Sequence, residues 1–198
     1  SGPSAALMPA VELILDSSNS MAELMESRPK IQVAKEVAKT VLKGLPEDIQ
    51  VGLRLYGHWG VWLPRKQNPQ AGPLATSDPR LRTDSELVVP IAPLSGAQRD
   101  KVLKWIDWTQ PRGMTPLVYS LLQAKGDFAA GQRAPKTVVL VSDGEETCGG
   151  KLEDVATAYR AAGIEIVIHV VGFDVQGTAA QKQLEQIARL GIDRVSVV

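Results

Sequence analysis

Val11-Glu12-Leu13-Ile14-Leu15-Asp16-Ser17-Ser18-Asn19-Ser20 is the stretch on which the reading of this chain turns. The run 11–15 is apolar enough to specify a buried strand. Asp16, Ser18 and Ser20 then follow at alternate positions, in an Asp-x-Ser-x-Ser spacing. A strand that ends in three alternating oxygen side chains is not built for packing. In open α/β sheets the carboxyl ends of the strands are where ligands sit. One carboxylate and two hydroxyls are hard oxygen donors, suited to Mg²⁺, Mn²⁺ or Ca²⁺ and not to a soft metal.

Reading outward, apolar strands alternate with amphipathic helices. A helix is expected over 30–43, where Ile31, Ala34, Val37, Ala38, Val41 and Leu42 recur near the 3.6 period and Gly44 and Pro46 stop it. A second strand covers 51–56. The segment 57–85 holds Pro64, Pro69, Pro73 and Pro79 and reads as a long irregular loop. A short edge strand is expected over 86–91, marked as an edge by Pro90 and Pro93. Helices follow over 98–108 and 116–126, a strand over 137–142, a helix over 152–162 and a strand over 165–172. A helix over 179–190 and a strand over 194–198 close the chain. Strands separated by helices of this length are βαβ units. The expected fold class is α/β: a doubly wound, mainly parallel six-stranded sheet with one antiparallel edge strand and helices on both faces.

Composition narrows the function. The chain has 198 residues, 44% of them hydrophobic, within reach of one sizeable core. Residues 1–8 read as a tag or linker and 9–198 as a single domain. The start at Ser1 rather than Met predicts a domain cut from something longer. The 22 basic and 22 acidic residues balance and form no block of like charge, which argues against nucleic acid as a partner. No apolar run approaches the roughly 18 residues of a membrane span. The single cysteine, Cys148, cannot form an internal disulfide, and His58 and His169 form no zinc signature. No Gly-x-Ser-x-Gly elbow supports a serine nucleophile.

Two further oxygen-bearing sites fall on the same rim of the expected sheet. The strand 137–142 runs directly into Asp143-Gly144-Glu145-Glu146. Gly113-Met114-Thr115-Pro116 enters a helix, with Thr115 able to cap it and Pro116 suited to its first position. Each has an ordinary use when taken singly: serines in turns, threonine as a cap, Asp-Gly as a turn. Three such coincidences on one rim are harder to dismiss.

Asp16-x-Ser18-x-Ser20, then Thr115, then Asp143 resembles the metal-ion-dependent adhesion site of von Willebrand factor type A (VWA) domains, in order and in placement. The stretch 138–147, Val-Val-Leu-Val-Ser-Asp-Gly-Glu-Glu-Thr, looks like the bacterial members of that family, and the resemblance spans roughly 11–198. It departs at Asn19, where many members have Gly. Bacterial relatives often carry a second cysteine soon after the one matching Cys148; here Glu153 stands near that place, so no disulfide is carried over. The resemblance implies a Mg²⁺-type ion held directly by Ser18 and Ser20, with Asp16, Thr115 and Asp143 binding directly or through water.

Two carboxylates about balance a divalent ion, leaving it electrophilic toward an outside acid. The expected function is therefore a non-enzymatic protein-binding module whose partner presents Asp or Glu to the ion. Two other readings stay open. One is a metal-dependent hydrolase or phosphoryl-transfer enzyme with Asp16 as nucleophile or ligand; Asp16-x-Ser18 lacks the second Asp of aspartate-nucleophile phosphatases and no general acid or base is evident. The other is a structural module of a larger ATPase or secretion machine. His58, Trp59 and Glu145 are candidate partner-binding residues on the rim. The isolated domain is expected to be monomeric, and the bacterial cell envelope or secretion is favoured over the cytoplasm.

Overall fold

The structure is a computed structural model; it describes residues 5–144, 146–172, Lys182 and the backbone of 194–197. Among the described residues, eight strands and four α-helices follow in chain order: β1 (Ala10–Asp16), β2 (Leu24–Met25), β3 (Arg28–Pro29), α1 (Lys30–Gly44), β4 (Gln50–Tyr56), β5 (Ser85–Pro93), α2 (Gly96–Trp108), α3 (Leu117–Lys125), β6 (Lys136–Ser142), α4 (Leu152–Ala162), β7 (Ile164–Val170) and β8 (Arg194–Val197). The main sheet has the order β5-β4-β1-β6-β7-β8. All its pairings are parallel except that of β5 with β4. This is the sheet expected from the sequence, with the antiparallel strand at an edge.

β1 is buried along its whole length because helices cover both faces of the sheet. Its alternation divides the core. Val11, Leu13 and Leu15 pack with Ile31, Ala34, Ala38 and Leu42 of α1 and Val102 and Ile106 of α2. Ala10 and Ile14 pack on the other face with Leu117, Val118 and Leu121 of α3 and Val155 and Tyr159 of α4. Since β1 and β6 are neighbours whose following helices lie on opposite faces, the sheet has its topological switch point between them. A crevice opens there outside the strands' carboxyl ends. Asp16 closes β1 and Asp143 follows β6, so both acids border that crevice.

Several expectations are corrected. Helix α3 begins at Leu117 with Pro116 as its cap residue, so Thr115 does not cap it and Pro116 is not its first helical residue. The loop 57–85 is not wholly irregular: 3₁₀ turns form over Gly60–Lys66 and Pro79–Thr83. The hairpin β2–β3 was not foreseen; two-residue strands carry no readable period. The linker expected over 1–8 is tied to the domain on its described side. Ala6 O accepts from Arg133 N at 3.0 Å and Met8 O accepts from Gln132 Nε2 at 2.6 Å. The helix expected over 179–190 lies outside the described residues, apart from Lys182.

Candidate metal centre

The turn after β1 is pinned from both sides. Asp16 Oδ1 accepts the Ser18 N–H at 2.8 Å, which folds the chain back over the carboxylate. Asn19 N donates to Gly113 O at 2.8 Å and Arg112 N donates to Ser17 O at 3.0 Å, so the segment preceding Thr115 is laced to the serine turn. Gly57, with φ +69°, lies against them; a Cβ there would stand 2.9 Å from Ser18 Cα and 2.7 Å from Met114 O.

Asp16 is then oriented from β4 and β6. Tyr56 OH donates to Ser142 Oγ at 3.0 Å, and Ser142 Oγ donates to Asp16 Oδ2 at 2.7 Å. Ser142 Oγ also accepts Gly144 N at 3.0 Å, which fixes the backbone just past Asp143. Sequence reasoning missed Ser142 and Tyr56. Their only signal was a hydroxyl at the carboxyl end of a largely apolar strand.

Four of the five predicted ligands are joined by hydrogen bonds, Asp16 through the Ser18 N–H, and Thr115 lies near them. Ser18 Oγ and Ser20 Oγ stand 3.2 Å apart, and Ser20 Oγ donates to Asp143 Oδ1 at 2.9 Å. Asp16 Oδ2 and the Thr115 methyl Cγ2 both lie against Gly144, 3.2 and 3.3 Å from where a Cβ on that residue would be. The Thr115 segment is held there by Thr115 N to Thr147 Oγ1 at 2.9 Å and by Thr147 N to Thr115 O at 3.2 Å. Glu146 caps the preceding helix: its Oε2 accepts Val118 N, in the first turn of α3, at 2.6 Å.

The site holds two carboxylates, Asp16 and Asp143, against one ammonium, that of Lys30 on Asp143 Oδ2 at 3.0 Å. Burial, and then the charge of Asp143, push the Asp16 carboxyl up to about 6, although bonds from Ser18 and Ser142 oppose the shift. The donor set also fits a small hard cation. At the roughly 2.1 Å of a Mg–O bond, neighbouring ligands of an octahedron stand about 3.0 Å apart, and the Ser18–Ser20–Asp143 oxygens are spaced at 3.2 and 2.9 Å. Among the described residues no three His, Cys, Asp or Glu side chains group as a metal site. Here two carboxylates would have to act with neutral hydroxyls.

The predicted partner residues fare differently. His58 is wholly buried, which removes it from any surface a partner reaches. Its Nδ1 lies 3.7 Å from Asp84 Oδ1 and its Nε2 3.4 Å from Glu86 Oε2. Trp59 is half-buried; its indole donates to Glu86 Oε2 at 3.0 Å and its ring centroid is 5.8 Å from that of Trp108, which is 41% exposed. Glu145 lies outside the described residues.

The family model described as von Willebrand factor type A domain matches residues 11–194. The chain belongs to that family. As a VWA domain it is 30% identical over 176 residues to the uncharacterized protein YwmD of Bacillus subtilis, covering 87% of this chain and 72% of that one. The fold is shared with the conserved hypothetical protein BatB from Bacteroides thetaiotaomicron, at TM-score 0.68 and 17% identity, with 96% of this chain and 90% of that chain covered. It is shared also with a von Willebrand factor type A structure from Catenulispora acidiphila, at TM-score 0.70 and 19% identity, with 97% and 38% covered. Membership in the VWA family assigns the chain to protein-interaction or assembly modules. No helix of the described residues is long and apolar enough to cross a membrane.

Proposed function

We propose that this VWA domain binds a protein partner through a divalent cation, Mg²⁺ or in its place Mn²⁺ or Ca²⁺, in the manner of a metal-ion-dependent adhesion site. Ser18 and Ser20 hold the ion directly, and Asp16, Thr115 and Asp143 hold it directly or through water. The ion supplies one replaceable position, and an Asp or Glu of the partner fills it. The observation that carries this reading is the run of three oxygens, Ser18 Oγ, Ser20 Oγ and Asp143 Oδ1, spaced at 3.2 and 2.9 Å beside the fully buried Asp16. With only two anionic ligands, a divalent ion there is neutralised but not over-neutralised, so it keeps its attraction for an outside carboxylate.

The domain acts by binding rather than by turnover. Each carboxyl oxygen of Asp16 already accepts a hydrogen bond, Oδ1 from Ser18 N and Oδ2 from Ser142 Oγ, and the residue has no exposed surface. That placement suits a ligand better than a nucleophile, which must reach its substrate.

Thermal melting with and without Mg²⁺ or Mn²⁺ tests the reading. A ligand at one hundred times its Kd adds about 2.7 kcal/mol to the native state, so the wild-type midpoint rises with either ion. Asp16→Ala and Ser18→Ala are expected to lose that rise while remaining folded. Midpoint shifts unchanged in both variants would sink the cation site.

A further inference from the structure

The rim carries a cation of its own. Lys30, the first residue of α1, points its ammonium at the candidate site: Nζ donates to Asp143 Oδ2 at 3.0 Å and to Glu23 Oε2 at 2.8 Å. Asp143 is thus divided, with Oδ1 on Ser20 Oγ and Oδ2 on the lysine. The ammonium is not a surface charge that happens to lie nearby. The Lys30 side chain is 15% exposed and Asp143 only 3%, whereas Glu23 is 65% exposed. The lysine stem lies on the backbone beyond β7, where a Cβ on Gly172 would come within 2.9 Å of Lys30 Cε, 3.1 Å of Cγ and 3.2 Å of Cδ. Gly172 has φ +77°, so an L side chain is disfavoured there on two counts. The lysine's path is built into the fold.

We propose that Lys30 is a specificity-determining residue of the cation site: it weakens the bound ion and leaves the loaded site net positive, so that the site selects an acidic ligand. The inference rests on the cation-site reading above. Asp16 and Asp143 together cancel a divalent ion. Lys30 adds one more positive charge at the Asp143 side; Glu23 bonds it directly at 2.8 Å but is 65% exposed, so solvent screens that carboxylate and it offsets the ammonium only in part. Before the ion enters, Lys30 competes with it for Asp143. After it enters, the same charge repels the ion across a poorly solvated gap and attracts the partner's carboxylate.

Calorimetric titration of the whole chain with Mn²⁺, for wild type, Lys30→Met, Lys30→Arg and Glu23→Gln, tests both halves. Lys30→Met keeps the stem and removes the charge; it is expected to bind Mn²⁺ about tenfold more tightly. Lys30→Arg keeps the charge and is expected to bind like wild type. Glu23→Gln leaves the ammonium wholly to Asp143 and is expected to weaken Mn²⁺ about twofold, a reading that survives if the Lys30 variants fail to fold. Acetate serves as the carboxylate probe, followed by water-proton relaxation of the Mn²⁺-loaded protein. It should bind Lys30→Met about threefold to tenfold more weakly than wild type. Mn²⁺ affinity unchanged or weakened by Lys30→Met, or acetate affinity unchanged, overturns the role of Lys30 while the cation site stands. Failure of wild type and Lys30→Met alike to bind Mn²⁺ overturns the cation site and this inference with it.

Discussion

Glu12 and Asp16 lie four residues apart on β1, on the same side of the sheet, and both are fully buried. Glu12 sits mid-strand beside a cation supplied by the fold. Arg54 of β4 reaches Glu12 Oε1 at 3.1 Å and also holds Asp127, while its Nη1 donates to Ser85 Oγ at 3.1 Å. Burial, reinforced by the charge of Asp127, lifts the Glu12 carboxyl well above its ordinary range, and Arg54 only partly reverses this. Glu12, Arg54 and Asp127 form a closed cluster that carries its own cation. Asp16 receives a backbone N–H and a hydroxyl, and the next charge along the rim is another carboxylate. An acid in mid-strand has brought its counter-charge with it. The acid at the strand's open end has no cation bonded to it directly, and Lys30, on its neighbour Asp143, matches only one of the two carboxylates; that remaining deficit is what the proposed cation would fill.

The largest expected effect comes from breaking the closed member of this pair. Arg54→Met leaves the buried Glu12 and the part-buried Asp127 without their cation, which should cost about 3 kcal/mol in urea unfolding. Whatever folded protein remains should still melt higher with Mg²⁺, since Arg54 bonds none of the five candidate ligands. An Mg²⁺ response lost together with the stability would mean that the two acids do not form separate systems.

The open member should respond in the opposite direction. The folded state holds the Asp16 proton up to about pH 6, whereas the unfolded chain releases it near 3.8. The native state therefore binds more protons between those values, and metal-free stability should fall as pH rises from about 4 to about 6, by about 1–3 kcal/mol. Asp16→Asn removes one of the two raised carboxyls, so its decline should be shallower than that of wild type, Glu12 supplying the remainder, and the variant should equal or exceed wild type in stability at pH 7 without metal. It should also lose the stabilisation by Mg²⁺. A wild-type protein whose metal-free stability climbs through this window would contradict the imbalance assigned to Asp16.

The contrast between the two acids was only half visible in the sequence. β1 and β6 were legible because buried parallel strands are nearly continuous apolar runs, and Asp16, Ser18, Ser20 and Asp143 were legible because oxygens clustered at such strand ends have no packing role. Glu12 and Arg54 gave no such sign. A charge inside a strand reads as solvent-facing until register shows that it meets an opposite charge on its neighbour. Lys30 at a helix start reads as a solvated residue, since nothing local reveals Gly172 beneath it. His58 looked like a rim residue because it follows β4, but its burial depends on Asp84 and Glu86, more than twenty residues further along. The proline-rich 57–85 looked irregular because composition reports the absence of long elements and says little about how a loop packs.

The smallest expected effect concerns what holds the candidate site in shape. Glu146 is the clamp between its two loops: Oε2 accepts Val118 N at the start of α3 and Oε1 accepts Cys148 N in the loop beyond Asp143. It therefore fixes the Thr115 segment relative to the Asp143 segment from outside the ligand set. Glu146→Ala leaves the α3 start short of one capping bond, worth about 1 kcal/mol. The paired bonds between Thr115 and Thr147 remain, so the two segments loosen without parting. Mn²⁺ affinity should consequently drop by about threefold to tenfold, in proportion to that lost fixation, with the pH-dependent decline of Asp16 unaltered. Titration of Mn²⁺ into the variant, alongside its melting curve, separates the two quantities. A loss of Mn²⁺ binding as complete as that of Asp16→Asn would place Glu146 among the ligands themselves, and the division between the acid that waits for a cation and the scaffold that holds it open would have to be redrawn.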